Sequence, residues 1–412
     1  MFYLDKNRCT GCGACANACA TGAIQMVENS EGFLEPVVDE ERRISCGACE
    51  STCPVLHDLS NNDDETGHCL LVTTKLEQYY KKSATIGLCT MLAEKAIEEN
   101  GVVFGVWLDE SEWKAKHICI SSHAELDKIR NSKYIQSDAA SCHEDVKSRL
   151  IAGRTVLFIG TPCQVAGLNA FLGKQYKNLY TIDLICHGVY SYKLLREEVG
   201  YWENKLKGKV ENFRFRSKEV SPWSEGGIIN FDLRDRNGRL THVERHGKYS
   251  PTYRCYAYSG DGSNYNLRES CYNCVFRNRR RYGDLTVGDA WLISQNYLDW
   301  NQTNCSNGVS LAIVNSEKGT DMMGKVSGLV QVKEIPYEAA FVQPALLPSS
   351  RTIPAERKNL YDNLGKEEYG SLVNRVMKVD IEKIYLLDRR LRKKKELKKK
   401  IKGMIYGKRD RL

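Results

Sequence analysis

The residues best suited to chemistry in this chain are its cysteines, and they are unevenly spaced. Seven of the seventeen fall in the first 60 positions, as Cys9-x2-Cys12-x2-Cys15-x3-Cys19 and then Cys46-x2-Cys49-x3-Cys53-Pro54. Three closely spaced thiolates can wrap one iron–sulfur cubane while a distant fourth crosses to a second cubane. By that crossing rule Cys9, Cys12, Cys15 and Cys53 hold one cluster, and Cys19, Cys46 and Cys49 hold the other. The Gly and Ala between the ligands let backbone N–H groups approach the inorganic sulfides. A four-thiolate zinc site fits a lone Cys-x2-Cys pair, but not three-cysteine runs closed by Cys-Pro.

The second cluster is one thiolate short. Arg43 stands three residues before Cys46, where a fourth ligand would begin the motif. Arginine stays protonated and has no lone pair to donate. An atypical second cluster is therefore expected, 3Fe-4S or labile.

A further set is dispersed. Gly160-Thr161-Pro162-Cys163-Gln164 follows an apolar run that reads as a strand. Thr161 suits an N-cap and Pro162 the first helical position. Cys163 would then sit in the first turn, where the helix dipole favours a thiolate. Cys186, in Asp183-Leu184-Ile185-Cys186-His187-Gly188, ends another strand-like run, and Cys271-Tyr272-Asn273-Cys274 adds a Cys-x2-Cys pair. Four thiolates from three segments can hold a third 4Fe-4S cluster. Equally, Cys163 and Cys186 can be small buried core residues, with only the pair special. Cys69, Cys89, Cys119, Cys142, Cys255 and Cys305 are isolated and read as ordinary thiols of a reducing, cytoplasmic compartment.

These residues need a scaffold. The chain has 412 residues, 42% apolar and 27% charged, enough for two or three folded domains. It contains no apolar run of about eighteen residues, and Met1 to Arg8 lack the stretch of a secretory signal. Residues 1–60 form the cysteine-rich module, of α+β ferredoxin-like dicluster type. Residues 61–69 are a polar linker. Over 70–365, strand runs such as Val102–Trp107, Thr155–Ile159 and Tyr180–Ile185 alternate with helical patterns at Leu88–Glu99, His143–Ile151 and Gln164–Leu172. That alternation predicts an α/β domain whose sheet is partly parallel, and Gly227–Leu233 and Leu311–Val314 predict further antiparallel strands, making the sheet mixed. In such sheets, sites are built at the carboxyl ends of strands. Residues 366–412 form a helical basic tail.

The net charge of +8 belongs to that tail. From Asp380 onward fourteen Lys and Arg stand against five Asp and Glu, so the rest of the chain sums to −1. A nucleic-acid binder should instead spread its charge over a folded face. Ile384, Leu387, Leu391, Leu397, Ile401 and Ile405 fall near one side of the tail helix. Peripheral membrane contact is one use of such a helix, and a solvated helix is the simpler reading. Arg277-Asn278-Arg279-Arg280-Arg281 suggests either an anionic partner or a solvated loop. Asp284 and Asp289 can orient nearby groups or cap turns. His187 is the best acid/base candidate, because histidine titrates near neutrality. No Ser-His-Asp order, phosphate-binding loop or zinc-protease motif is present.

The motifs around Gly160–Leu168, Asp183–Val189, Cys271–Cys274 and Asp284–Trp291 resemble the coenzyme F420 hydrogenase/dehydrogenase beta-subunit family. Ser132–Ser137 and Glu31–Pro36 add to the likeness, which runs in order from residue 1 to about 365. The resemblance implies an iron–sulfur cluster on Cys163, Cys186, Cys271 and Cys274, and FAD nearby. It places Ser83, Thr85 and Gly87, then Ser132, Lys133 and Tyr134, and Gly160, Thr161, Pro162 and Gln164 around the flavin. It further implies electron transfer between clusters and flavin, with hydride exchange to F420 or another small substrate. Redox partners would be a ferredoxin or an F420-like molecule. Two residues depart from the family pattern. Ile86 stands where a glycine belongs in the turn Ser83–Gly87, and a β-branched side chain there is expected to hinder a pyrophosphate. Arg43 replaces a cysteine.

The sequence thus predicts a cytoplasmic iron–sulfur flavoprotein oxidoreductase. The rival is a non-catalytic electron relay or assembly partner of a redox complex, which the Ile86 departure favours.

Overall fold

A computed structural model describes residues 5–57, 67–218, 227–258, 264–293, 297, 307–348 and 351–406. Cys305 and most of the expected linker lie outside them, as do the side chains of Leu397, Ile401 and Ile405.

The cysteine-rich head is built from two one-turn helices, Ala14–Asn17 and Ala48–Ser51, and a hairpin. Each helix starts inside a Cys-Gly-Ala-Cys sequence, and its glycine, Gly13 or Gly47, is left-handed with φ of +79° or +76°. That backbone is nearly free for glycine and strained for other residues. It lets the chain reverse between one cysteine and the next. Strand β1 (Ile24–Glu28) pairs antiparallel with β2 (Leu34–Val38).

The body is a mixed sheet with both faces covered. Its strands are β3 (His68–Thr73), β4 (Val102–Asp109), β5 (Lys114–Ile120), β6 (Ser137–Asp138), β7 (Val156–Gly160) and β8 (Leu179–Leu184). A separate antiparallel sheet of β9 (Lys209–Arg214), β10 (Ile228–Arg234) and β11 (Leu240–His246) intervenes. Then β12 (Leu285–Asp289), β13 (Ser310–Val314) and β14 (Gln331–Ile335) complete the main sheet. The order is β14-β3-β13-β12-β8-β7-β4-β5-β6. β4, β7, β8 and β12 run parallel, while β13, β3 and β14 add antiparallel on one side and β5 on the other. β3 starts at His68, inside the span expected to be linker.

Side-chain alternation explains why both faces are covered. Val102, Phe104, Val156 and Phe158 cluster with residues of the helices His143–Ile151 and Pro162–Leu172. Their neighbours Val103 and Leu157, with Ile182, cluster with Leu88, Met91 and Leu92 of the helix Leu88–Glu98. Burying each such Phe, Leu or Val contributes roughly 1.5–3 kcal/mol.

Head and body share a third, aromatic core, where Phe33 and Leu34 join Tyr190, Tyr192, Trp202 and Phe231. Arg357, in the helix Ala355–Asn363, closes on Glu31 of the head at 2.5 Å. The last helix, Ile381–Tyr406, is fastened at its start, where Asp388 meets Lys248 and Tyr249 at 2.8 Å each. On either side of Asp388, Leu387 and Leu391 are exposed. Among the described residues no helix is long and apolar enough to cross a membrane.

Candidate iron–sulfur and cofactor site

All sixteen described cysteines are free thiols. In the head, Cys9, Cys12, Cys15 and Cys53 are buried and line one small cavity. Burial lifts the Cys15 thiol to about 12, with the charges of Cys9 and Cys53 adding to it. Cys49 lies near Cys19, and both are half-buried, while Cys46 is exposed. Backbone amides point at these sulfurs, as with Gly11 N–H to Cys9 Sγ at 3.4 Å. Arg43 pairs with Glu40 at 3.1 Å.

Parallel strands carry the second set. Cys163 follows β7 at the start of the helix Pro162–Leu172, and Cys186 follows β8. Cys271 lies in the short helix Glu269–Tyr272 and Cys274 just beyond it. The four face one another: Cys163, Cys186 and Cys274 each feel the charge of Cys271, and Cys186 and Cys274 also feel Cys163. Gly188 N–H points at Cys186 Sγ at 3.4 Å. Among the described residues no three His, Cys, Asp or Glu side chains are arranged to hold a single metal ion. Zinc would need its sulfurs about 2.3 Å from one centre. The other five described cysteines take part in neither set, and Cys69, Cys142 and Cys255 are buried.

At Cys163 the helix start does not offset burial. The helix opens as expected, with Thr161 as N-cap, Pro162 at N1 and Gln164 Oε1 accepting from Thr161 N–H at 3.0 Å. Burial nevertheless pushes Cys163 up to about 11, against a lowering contact from Thr161. A helix end is worth only about 0.3–1 kcal/mol, less than the desolvation it opposes.

All four thiols line a cavity of about 600 Å³ at the carboxyl ends of β7, β8 and β12. Ser83, Thr85, Gly87, Ser132, Lys133, Tyr134, Gly160, Thr161, Pro162, Gln164 and His187 line it too. The turn Ser83–Gly87 presents the start of the eleven-residue helix Leu88–Glu98, with Gly87 left-handed at φ +81°. Asp289 pins this turn by accepting from Thr85 Oγ1 while pairing with Arg216. Ile86 is the exception to the expected obstruction. It is fully buried, in the core cluster of Leu88 and Met91, and does not line the cavity. One residue of the turn faces inward, so its β-branch is no obstacle.

Other side chains also depart from expectation. Burial, then Arg351 and Arg277, lower His187 to about 4. Lys133 is lowered to about 7, chiefly by burial, and donates to Arg130 O at 2.6 Å. Sequence reasoning had no signal for that shift. Gln164 is occupied internally, its Nε2 donating to Ser137 O at 3.0 Å and Oγ at 2.8 Å. The arginine run is largely internal: Arg281 pairs with buried Asp183, Arg279 with Glu338, and Arg277 donates to Pro344 O. Asp284 accepts from Thr181 N–H and Oγ1 at 2.8 Å, tying β8 to the segment leading into β12.

The cavity wall suits a polar cofactor. Thr10 Oγ1, Ser83 Oγ, Arg130 Nε, Arg277 Nε and Nη1, and both Gln343 amide atoms are buried without partners, and all of these residues line it. Unpaired buried polar atoms cost about 1–3 kcal/mol each, so a ligand that satisfied them would be held there. Both the volume and the mixture of apolar and polar lining fit a small-molecule site.

Residues 8–56 match the family model of the 4Fe-4S dicluster domain. Residues 153–338 match the model for the C terminus of the coenzyme F420 hydrogenase/dehydrogenase beta subunit. The middle of the chain is thus similar to the C terminus of this beta subunit, with a segment similar to a dicluster domain ahead of it. Together the two matches support iron–sulfur electron transfer. No curated protein matches it. A chain of the F420-reducing NiFe hydrogenase complex from Methanosarcina barkeri, studied by xenon derivatization, is similar at 17% identity. The match covers 69% of this chain and 91% of that one, with a TM-score of 0.38.

Proposed function

We propose that the protein is an iron–sulfur flavoenzyme in which the head and the body cavity form one redox path. The observation that carries this reading is the meeting of Cys163, Cys186, Cys271 and Cys274 in the wall of a cavity that also holds a helix-start turn. Those four thiols would hold a third 4Fe-4S cluster, and the cavity would hold FAD. The clusters supply one-electron transfer, and the flavin couples it to a two-electron hydride exchange with a small substrate.

The chain's own residues bind and orient. Free amides at the start of Leu88–Glu98, with Ser83 Oγ, suit a pyrophosphate. Asp289 holds that turn through Thr85. Lys133, lowered towards neutrality by burial, can hold or release a proton at Nζ inside the cavity. Tyr134 packs against Tyr253 and Tyr256, closing one wall with apolar surface and excluding water. F420 is one substrate of suitable class, and a ferredoxin is a suitable electron partner.

Anaerobically reconstituted protein is expected to show broad iron–sulfur absorption, and to release flavin on denaturation. Turnover of reduced F420 compared with reduced ferredoxin then identifies the partner. Protein with full iron and no flavin would leave the rival electron-relay role instead.

A further inference from the structure

Cys12 and Gly167 touch across the join between head and body. Gly167 lies four residues after Cys163 in the helix Pro162–Leu172, so the two share a helix face. A Cβ at Gly167 would fall 2.8 Å from Cys12 Cβ and 2.9 Å from its Sγ. Cys12 cannot swing aside if its sulfur is committed to iron, so only glycine lets it lie on this helix.

The approach is braced from both sides. Gln136 Nε2 donates to Thr10 O at 3.0 Å and Gly11 O at 3.1 Å, next to Cys12. Arg268, three residues before Cys271, donates from Nε to Cys9 O at 2.7 Å and from Nη1 to Gln136 Oε1 at 2.9 Å. The helix Ala14–Asn17 packs on Pro162–Leu172, whereas Ala48–Ser51 packs chiefly on Ala14–Asn17. The exposed Cys46 marks the outer end of the head.

We infer that the Cys12–Gly167 contact is where electrons cross from head to body, with Gly167 a positioning residue that sets the gap. The inference rests on the function proposed above. It orders the sites from outside inward: Cys19, Cys46 and Cys49, then Cys9, Cys12, Cys15 and Cys53, then the four thiols of the cavity. In each crossing the iron held by Cys9, Cys12, Cys15 and Cys53 loses one electron and the iron of the cavity thiols gains it. No proton moves, and a low-potential one-electron donor refills the outer site.

The test compares Gly167→Ala with Gly200→Ala in the full, anaerobically reconstituted chain. Gly200 also lies within a helix, and a Cβ there meets nothing within 4 Å. Iron content is measured first, then electron paramagnetic resonance of dithionite-reduced samples frozen at successive times. In the unaltered chain and Gly200→Ala, body and head signals should be split by mutual interaction, and body reduction should follow head reduction. Gly167→Ala should keep its iron, lose that splitting and delay the body signal. Unchanged splitting and timing in Gly167→Ala would overturn the crossing point alone. An unaltered chain without iron at the cavity thiols would overturn the proposed function, and this inference with it. If Gly167→Ala fails to retain iron, Cys46→Ser decides. Removing the outer site should leave the head–body splitting intact, and its loss would place the crossing at the outer cluster instead.

Discussion

Arg281 Nη2 lies 2.9 Å from Asp183 Oδ2, with both side chains buried. The pair ties the strand leading to Cys186 to the loop that follows Cys274, and Tyr282 N–H also donates to Asp183, at 3.3 Å. Two cysteine-bearing segments distant in sequence are thereby held in register. Breaking one partner of a buried pair strands the other charge, at about 3–5 kcal/mol. Arg281→Met is expected to lower the urea midpoint accordingly and to release iron from the cavity thiols. Adding Asp183→Leu should restore part of the stability. An Arg281→Met chain with an unchanged midpoint would show that the pair holds nothing.

His143 should limit acid stability. It is fully buried at the start of His143–Ile151, neither ring nitrogen has a partner, and its ring stacks on Phe171. Burial, helped by His117, lowers it from 6.5 to about 3. Between those values the unfolded chain binds a proton that the folded chain refuses, so stability falls as pH drops through 6.5 towards 3. At about 1.4 kcal/mol per unit, His143→Leu should gain about 2 kcal/mol at pH 5 relative to pH 7.5. Urea unfolding at the two pH values measures this, and parallel curves for the two proteins would refute it.

Ile86 should matter for stability and not for flavin. Ile86→Ala is expected to cost about 2–5 kcal/mol through the cavity it leaves in the core. Flavin affinity of the folded variant, followed by fluorescence quenching, should stay at the level of the unaltered chain. Tighter flavin binding in the variant would restore the obstruction expected from sequence.

Arg43→Cys supplies a thiolate three residues before Cys46, where only the ion pair with Glu40 is lost. Exposed pairs of this kind contribute at most about 1 kcal/mol. The expected result is roughly one more iron per chain and loss of any 3Fe-4S resonance signal, since a cubane takes four cysteines. Equal iron in both proteins would mean that the second site is complete without it.

What could be read in advance depended on range along the chain. Cys9 to Cys53 follow a local spacing rule, and Thr161, Pro162 and Gln164 are a local helix start, so both were legible. The parallel core was legible because Val102–Trp107 and Thr155–Ile159 are unbroken apolar runs. Gln136, Arg268 and Gly167 were not, because each acts on the Cys9–Cys12 loop, more than a hundred residues away. Ile86 misled for a related reason. Which way one turn residue points, and whether Arg281 finds Asp183, is decided by the packed body and not by neighbours in sequence.

Strand β3 is made early, yet both its neighbours, β13 and β14, come from the far end of the chain. During synthesis its apolar residues Leu71 and Val72 must therefore wait, with both edges open, while most of the protein is still being translated. Late truncations would leave a sticky ribbon rather than a shorter working protein.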